Sequence, residues 1–442
     1  MKKPLALALL LPVALAAAVA AGCWRHEAPQ WTSESSAALA ELEAGHEAMQ
    51  KLYFSDASDH FGRALEHDPD LVVAKLRVVQ LGRSPAAPPQ RIAELIEEVR
   101  AADLDTLTPR ESLLVRYFLA RIDRELERAK TAVDAYLAEH PDDPYAIELV
   151  CGVAFAAGDL DEAERCNRRL IELDPNRVGA QNTLGYLAMA RGDFAGAEER
   201  FTVYRYVAPD QANPHDSLGE LYLLTGRYDE AVAEFESAVA AKSDFCPSWQ
   251  NLVLAELLRD DFAAAETRLA EARRANGCGD RTLTLIACRI DLWRSKVSGE
   301  PGAVLERGNE CRGESVELLV ISAWAAWTAG HADEAAAIEE QLKPYGDQEP
   351  SARASVEHLA GVRLLHTGDP AAAAERFRAA DRQLLFHSQQ WLFKQFNRRA
   401  LAVALAAAGE GDAAAAVRAE ISAVDPHLLD HAIFSLEGHP TR

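Results

Sequence analysis

Asp216 and Glu220 stand four residues apart, a spacing that puts two carboxylates on one face of a helix. Such a pair does acid–base chemistry when its two environments hold one proton on and one off. Nothing beside it completes a reaction centre. The chain has no helical His-Glu-x-x-His, no phosphate-cradling glycine loop and no Gly-x-Ser-x-Gly elbow. On a helix the same two acids also serve as groove or surface charge. His387, close to Trp391, Phe393 and Phe396, marks the densest aromatic neighbourhood, a pattern that packs one helix on another. Cys151, Cys166, Cys246, Cys278, Cys288 and Cys311 lack the two-residue spacing of zinc or redox motifs. Their even number allows fifteen pairings. The residues therefore predict no catalytic group, no metal and no cofactor.

What positions these side chains is a repeat. Ala163, Ala197, Ala231 and Ala265 follow one another at intervals of 34 residues. Leu184, Leu218 and Leu252 keep the same interval, as do Gly185 and Gly219, and Pro141, Pro175 and Pro209. A fixed period of this length is one supersecondary unit repeated, each unit burying its apolar face on the next. The composition is 49% hydrophobic with only 7% aromatic residues, and it is rich in alanine. Alanine is the best helix former, and no run of alternating Val, Ile and Thr argues for a sheet. The expected class is all-α.

These positions resemble the tetratricopeptide repeat, a helix–turn–helix unit of 34 residues. Residues 178–211 supply Leu184, Gly185, Ala188, Ala197, Phe201, Tyr204 and Pro209; residues 212–245 supply Leu218, Gly219, Tyr222, Ala231, Phe235 and Ala238. The resemblance implies a right-handed α-solenoid, with five contiguous units over 110–279. An N-terminal unit and a degenerate hairpin are expected over 38–109. A second degenerate hairpin covers 280–315, three further units cover 316–428, and residues 429–442 form a capping tail. Gly185 and Ala197 are expected where helices cross, with Phe201 filling the gap toward the next unit. Gly192 and Gly226 are expected to end helices in the left-handed conformation.

Register also bears on the cysteines. Cys246 and Cys278 fall at the open end of one hairpin, Cys151 and Cys166 on the two helices of another, and Cys288 and Cys311 across the 280–315 hairpin. Three disulfides are possible, while Cys151 and Cys166 could equally be small buried residues. In the family, partners lie along the inner face of each first helix. Carried onto this chain, that groove is lined by Phe118, Arg121, Tyr145, Glu148, Phe155, Asn182, Tyr186, Met189, Asn213, Asp216, Glu220 and Leu223. Acids stand at Asp216 and Glu220 where the family's carboxylate-clamp members carry basic and amide groups. The implied partner is a protein or peptide segment with apolar anchors and some positive charge.

Lys2 and Lys3, the apolar stretch Pro4–Ala21 and the small pair before Cys23 read as a secretory leader. Ala20, Ala21, Gly22 and Cys23 resemble a bacterial lipobox. That resemblance implies cleavage after residue 22, lipid on Cys23, a tether over 23–37, and an outer membrane facing the periplasm, since Trp24 is not the inner-membrane Asp. An uncut membrane span and ordinary signal cleavage are the other readings of the same stretch. The formal charge of −23 excludes a nucleic-acid binder. The expected function is a non-enzymatic, membrane-tethered scaffold. Its rivals are an enzyme with a surface hidden in 280–315 or 388–442, and a self-associating structural protein.

Overall fold

A left-handed glycine followed by an aspartate recurs at the turns of this chain. The aspartate starts a helix by giving the backbone an acceptor, which satisfies one of the orphan N–H groups of the first turn. Asp159, Asp193, Asp261 and Asp369 do this for the backbone N–H groups of Glu162, Gly196, Ala264 and Ala372. Gly158, Gly192 and Gly368 precede three of them with φ of 75°, 78° and 86°. The computed structural model describes residues 30–82, 88–175, 177–297, 301–311, 316–346, 350–386, 390–429 and 431. Among them 22 α-helices follow one another as eleven antiparallel pairs, and there is no strand.

One packing rule closes many of the pairs. A Cβ placed on Gly219 would stand 2.6 Å from Phe235 Cε1, and one on Gly361 would stand 2.7 Å from Phe377 Cε1. Gly45 and Gly185 meet Phe61 and Phe201 in the same way. Each phenylalanine lies sixteen residues after its glycine and is fully buried. The ring thus covers the bare backbone of its own hairpin. Phe201 does so with Gly185 and also packs toward the next unit, as expected, in one cluster with Leu218, Leu221 and Tyr222. The alanines of the period are equally sealed: Ala57, Ala163, Ala197, Ala231, Ala265, Ala335 and Ala373 all have no exposed surface.

The 34-residue period loosens where first helices lengthen. Asp280–Val297 and Gln390–Ala407 have 18 residues and Pro350–His366 has 17, against 13 for Ala212–Leu224. The extra turn shifts the frame without changing the hairpin. Pro89 and Pro301 open the second helices of the two hairpins expected as degenerate, since proline's fixed φ suits the first helical position. Most of the expected capping tail, 432–442, lies outside the described residues.

The helix pairs divide into two units, one up to Ala146 and one from Ile147 onward. The second unit turns its C-terminal part onto its own middle pairs. Phe386, Trp391, Ile421 and Leu428 share one hydrophobic cluster with Phe201, Leu223, Phe235, Trp249 and Leu257. The Tyr228 hydroxyl donates to Asp425 Oδ2 at 2.7 Å, across 197 residues of sequence. Three disulfides close hairpins of this unit: Cys151–Cys166, Cys246–Cys278 and Cys288–Cys311.

Candidate partner-binding grooves

In the first unit the segment that precedes the first helix is part of the site. Trp31, only 7% exposed, lies against rings contributed by separate first helices. His46, from Ser36–Gln50, and Tyr145, from Pro144–Ala157, each hold a ring centroid 5.6 Å from its own. The guanidinium of Arg110, near the start of Pro109–Ile122, sits 5.7 Å from Trp31 and 4.8 Å from Tyr145. Such cation–ring contacts strengthen where water is excluded.

Polar contacts fix the flanks of Trp31. Thr108 Oγ1 donates to the Gln30 carbonyl at 3.2 Å, and Arg110 Nη1 to Gln30 Oε1 at 3.2 Å. The Thr32 amide donates to Glu111 Oε1 at 3.0 Å, and its hydroxyl donates to Glu111 Oε2. Glu111 is completely buried, and its carboxylate also accepts the Thr108 N–H at 2.9 Å, completing a capping box. Arg77 Nε donates to His46 Nε2 at 3.1 Å, so the imidazole carries its proton on Nδ1. Burial, with the charges of Arg77 and Arg110, holds that imidazole neutral down to about pH 3. Of the expected tether over 23–37, residues 30–33 are held against the first unit and Ser36 and Ala37 already belong to the first helix, while Cys23 lies outside the described residues.

The other first-unit groove residues stand nearby in sequence and differ in exposure. Phe118 is half-buried beneath the Arg77 guanidinium, 5.9 Å from its ring centre. Arg121 is exposed and donates to the Tyr117 hydroxyl at 3.2 Å. Asp143 accepts from Tyr136 at 2.7 Å and from Arg110 at 2.9 Å. Burial pushes its carboxyl up, but these two partners prevail and hold it below the usual carboxylate range.

In the second unit the groove positions converge on a buried polar network. Tyr186 donates to Glu220 Oε2 at 2.7 Å and lies 3.3 Å from Ser217 Oγ, which donates to Asn182 Oδ1 at 2.8 Å. Ser248 Oγ, 2.6 Å away, and Asn251 Nδ2, 3.3 Å away, both donate to Asp216 Oδ1. Asp216 is 4% exposed and Glu220 is half-buried. Burial raises both carboxyls above their ordinary values, and the charge of Glu220 raises Asp216 further. Two acids in a dry site cannot both ionise cheaply. Met189 and Leu223 are fully covered in the cluster that holds Trp391 and Leu428. Asn213 is engaged by the Tyr204 hydroxyl, 3.0 Å away. Phe155 packs beside Ala154, Ala163, Leu184 and Leu187. Glu148 is exposed and pairs with Arg177.

His387 lies outside the described residues. Phe393 and Phe396, its neighbours in sequence, lie against His358, each with a centroid 5.2 Å away. No local motif marks His358, because its partners come from a later helix. Trp31 did carry a signal: it is a large apolar residue in an otherwise polar stretch. Among the described residues no group of His, Cys, Asp and Glu could hold a metal ion, and no helix is long and apolar enough to cross a membrane.

The tetratricopeptide repeat family model matches residues 214–245. No curated sequence matches the chain. Solved structures similar to it include a tetratricopeptide repeat protein from Parabacteroides merdae, at 16% identity over 59% of this chain and 98% of that one, TM-score 0.42. Another is the APC/C hetero-tetramer Cut9-Hcn1, at 13% identity over 89% of this chain and 74% of that one, TM-score 0.48. A third is PilW, titled a widely conserved type IV pilus biogenesis factor, at 16% identity over 44% of this chain and 89% of that one, TM-score 0.37.

Proposed function

We propose that this tetratricopeptide-repeat chain is a non-enzymatic scaffold, anchored in a bacterial envelope through Cys23, that holds extended segments of partner proteins against its first helices. One observation carries the reading. The first unit already grips a non-helical segment that bends at Gln30, Trp31 and Thr32, with Trp31 as its anchor and Glu111, Thr108 and Arg110 as its polar clamps. That is how repeat grooves bind peptides: an apolar side chain in a pocket, with polar groups fixing the backbone.

The placement in the envelope rests on the lipobox-like residues before Cys23 and on chemistry further along. Three disulfides belong to an oxidising compartment rather than a cytosol kept reduced. A diacylated cysteine supplies lasting membrane attachment, at about 0.8 kcal/mol per buried methylene. Cys23→Ser should abolish incorporation of labelled palmitate; unchanged labelling ends the lipoprotein reading. For the scaffold itself, a photo-crosslinking side chain at exposed Arg121 should yield discrete conjugates with envelope proteins in cells. Conjugates no different from those of a crosslinker at Leu126, on the following helix, would refute it.

A further inference from the structure

The geometry points to residues Gln30–Ser33 as an intramolecular ligand of a peptide site in the first unit, a site that takes in trans a non-helical segment bearing a tryptophan followed by a hydroxyl residue. This deepens the scaffold reading above and rests on it. Four features separate the segment from ordinary structure. It belongs to no helix pair and precedes the first cap at Ser35. Its polar contacts are those of a bound peptide: the Gln30 carbonyl and the Thr32 amide, main-chain groups any sequence would offer, are met by Thr108 and Glu111. Its side chains add specificity: the indole lies against His46, Arg110 and Tyr145, the Thr32 hydroxyl donates to Glu111, the Gln30 amide oxygen accepts from Arg110, and the Ser33 hydroxyl donates to Asp68. The site also stays organised without it, because Glu111 keeps its bond from the Thr108 N–H.

A further sign of a ligand site is His46 Nδ1. It bears a proton, sits beside the indole in a residue 5% exposed, and has no hydrogen-bond partner among the described residues. A ligand with an acceptor at that point would use it; the chain's own segment does not. The segment is joined to the first helix through Glu34 and Ser35 alone, and a link this short holds its effective concentration in the millimolar range. A partner in trans therefore meets an occupied site, and its apparent affinity is scaled down to the fraction of chains with the segment undocked.

The test uses the full-length chain and a fluorescent peptide of residues Gln30–Ser36. Trp31→Ala should bind this peptide at least tenfold more tightly than the natural chain, with circular dichroism confirming that its helices persist. The same peptide with alanine in place of its tryptophan should not bind. Equal affinity of both chains, or no binding by a folded Trp31→Ala chain, overturns the proposal. Should that variant fail to fold, the natural chain still tests the idea. Millimolar peptide should speed hydrogen exchange at the amides of Trp31 and Thr32 severalfold, and unchanged exchange overturns the proposal. Failure of these tests alongside specific crosslinks at Arg121 would remove the self-ligand and leave the scaffold standing.

Discussion

The two units use one packing rule and line their first helices with opposite chemistry. Both seat a phenylalanine on a glycine sixteen residues earlier, Gly45 with Phe61 in the first and Gly219 with Phe235 in the second. Yet the first unit collects an indole, a neutral imidazole and a guanidinium with two separated acids, Glu111 held by hydroxyl and backbone donors and Asp143 paired with Arg110, while the second collects two adjoining acids, a tyrosine and small hydroxyl and amide groups. The hairpin fixes where a side chain stands and leaves its type free. Their pH behaviour should diverge accordingly. Asp143 has its carboxyl lowered, so it contributes stability above the usual carboxylate range that is lost as pH falls through the folded value. Asp216 and Glu220 have theirs raised, so the folded second unit binds more protons than the unfolded chain, and stability falls as pH rises above about 4.

The shared rule is the part whose loss should cost most. Gly219→Leu must push the Phe235 ring aside and should cost about 3 kcal/mol in denaturant unfolding. Gly45→Leu should cost a similar amount, and a harmless result at either site would mean that the units are not built alike. The next largest effect should separate the units. Asp216→Asn keeps the oxygen that accepts from Ser248 and Asn251 but cannot ionise. It should gain roughly 2 kcal/mol at pH 8 relative to the natural chain, with little change at pH 4. A variant that shows the natural pH slope would remove the carboxyl pair from the comparison. Tyr228→Phe deprives fully buried Asp425 of its hydroxyl donor while leaving the His427 N–H, and should cost about 1–2 kcal/mol. Faster hydrogen exchange at residues 425–429 would register it, and unaltered exchange would show that the C-terminal part is held by apolar packing alone. The smallest effect concerns the turns. Arg124 in the first unit adopts φ 62° where Gly158, Gly192 and Gly226 stand at the same point of later hairpins. Arg124→Gly should raise the unfolding midpoint by the equivalent of about 0.5 kcal/mol, strain relief outweighing the extra freedom of the unfolded chain.

The hairpins were legible because a helix pair is a local object. Ala197, Phe201 and Gly185 meet within sixteen residues, so their spacing writes the fold directly into the sequence. The same register brings Cys246 and Cys278 to a Cα separation of 4.9 Å. What periodicity could not express was contact across many repeats. Thr32 reaches Glu111 over 79 residues and Tyr228 reaches Asp425 over 197, and neither pair recurs at any interval. The groove positions were legible as a row, but not the covering of Met189 and Leu223, which depends on Trp391 and Leu428 arriving from elsewhere. Asp216 and Glu220 looked like charge beside solvent for the same reason. Their burial comes from neighbours that only the folded chain supplies.

The docking of Trp31 also sets a length. Gln30 is the seventh residue after Cys23, and a fully stretched chain spans about 3.4 Å per residue. On the lipoprotein reading proposed above, a body held at Cys23 and clamped at Gln30 is kept on a leash of about 24 Å. Letting go as far as Ser35 frees five more residues and lengthens the leash to about 41 Å. On that reading, whatever displaces the indole would also let the repeats swing out from the bilayer, so that capture of a partner and the distance at which it is held become one event.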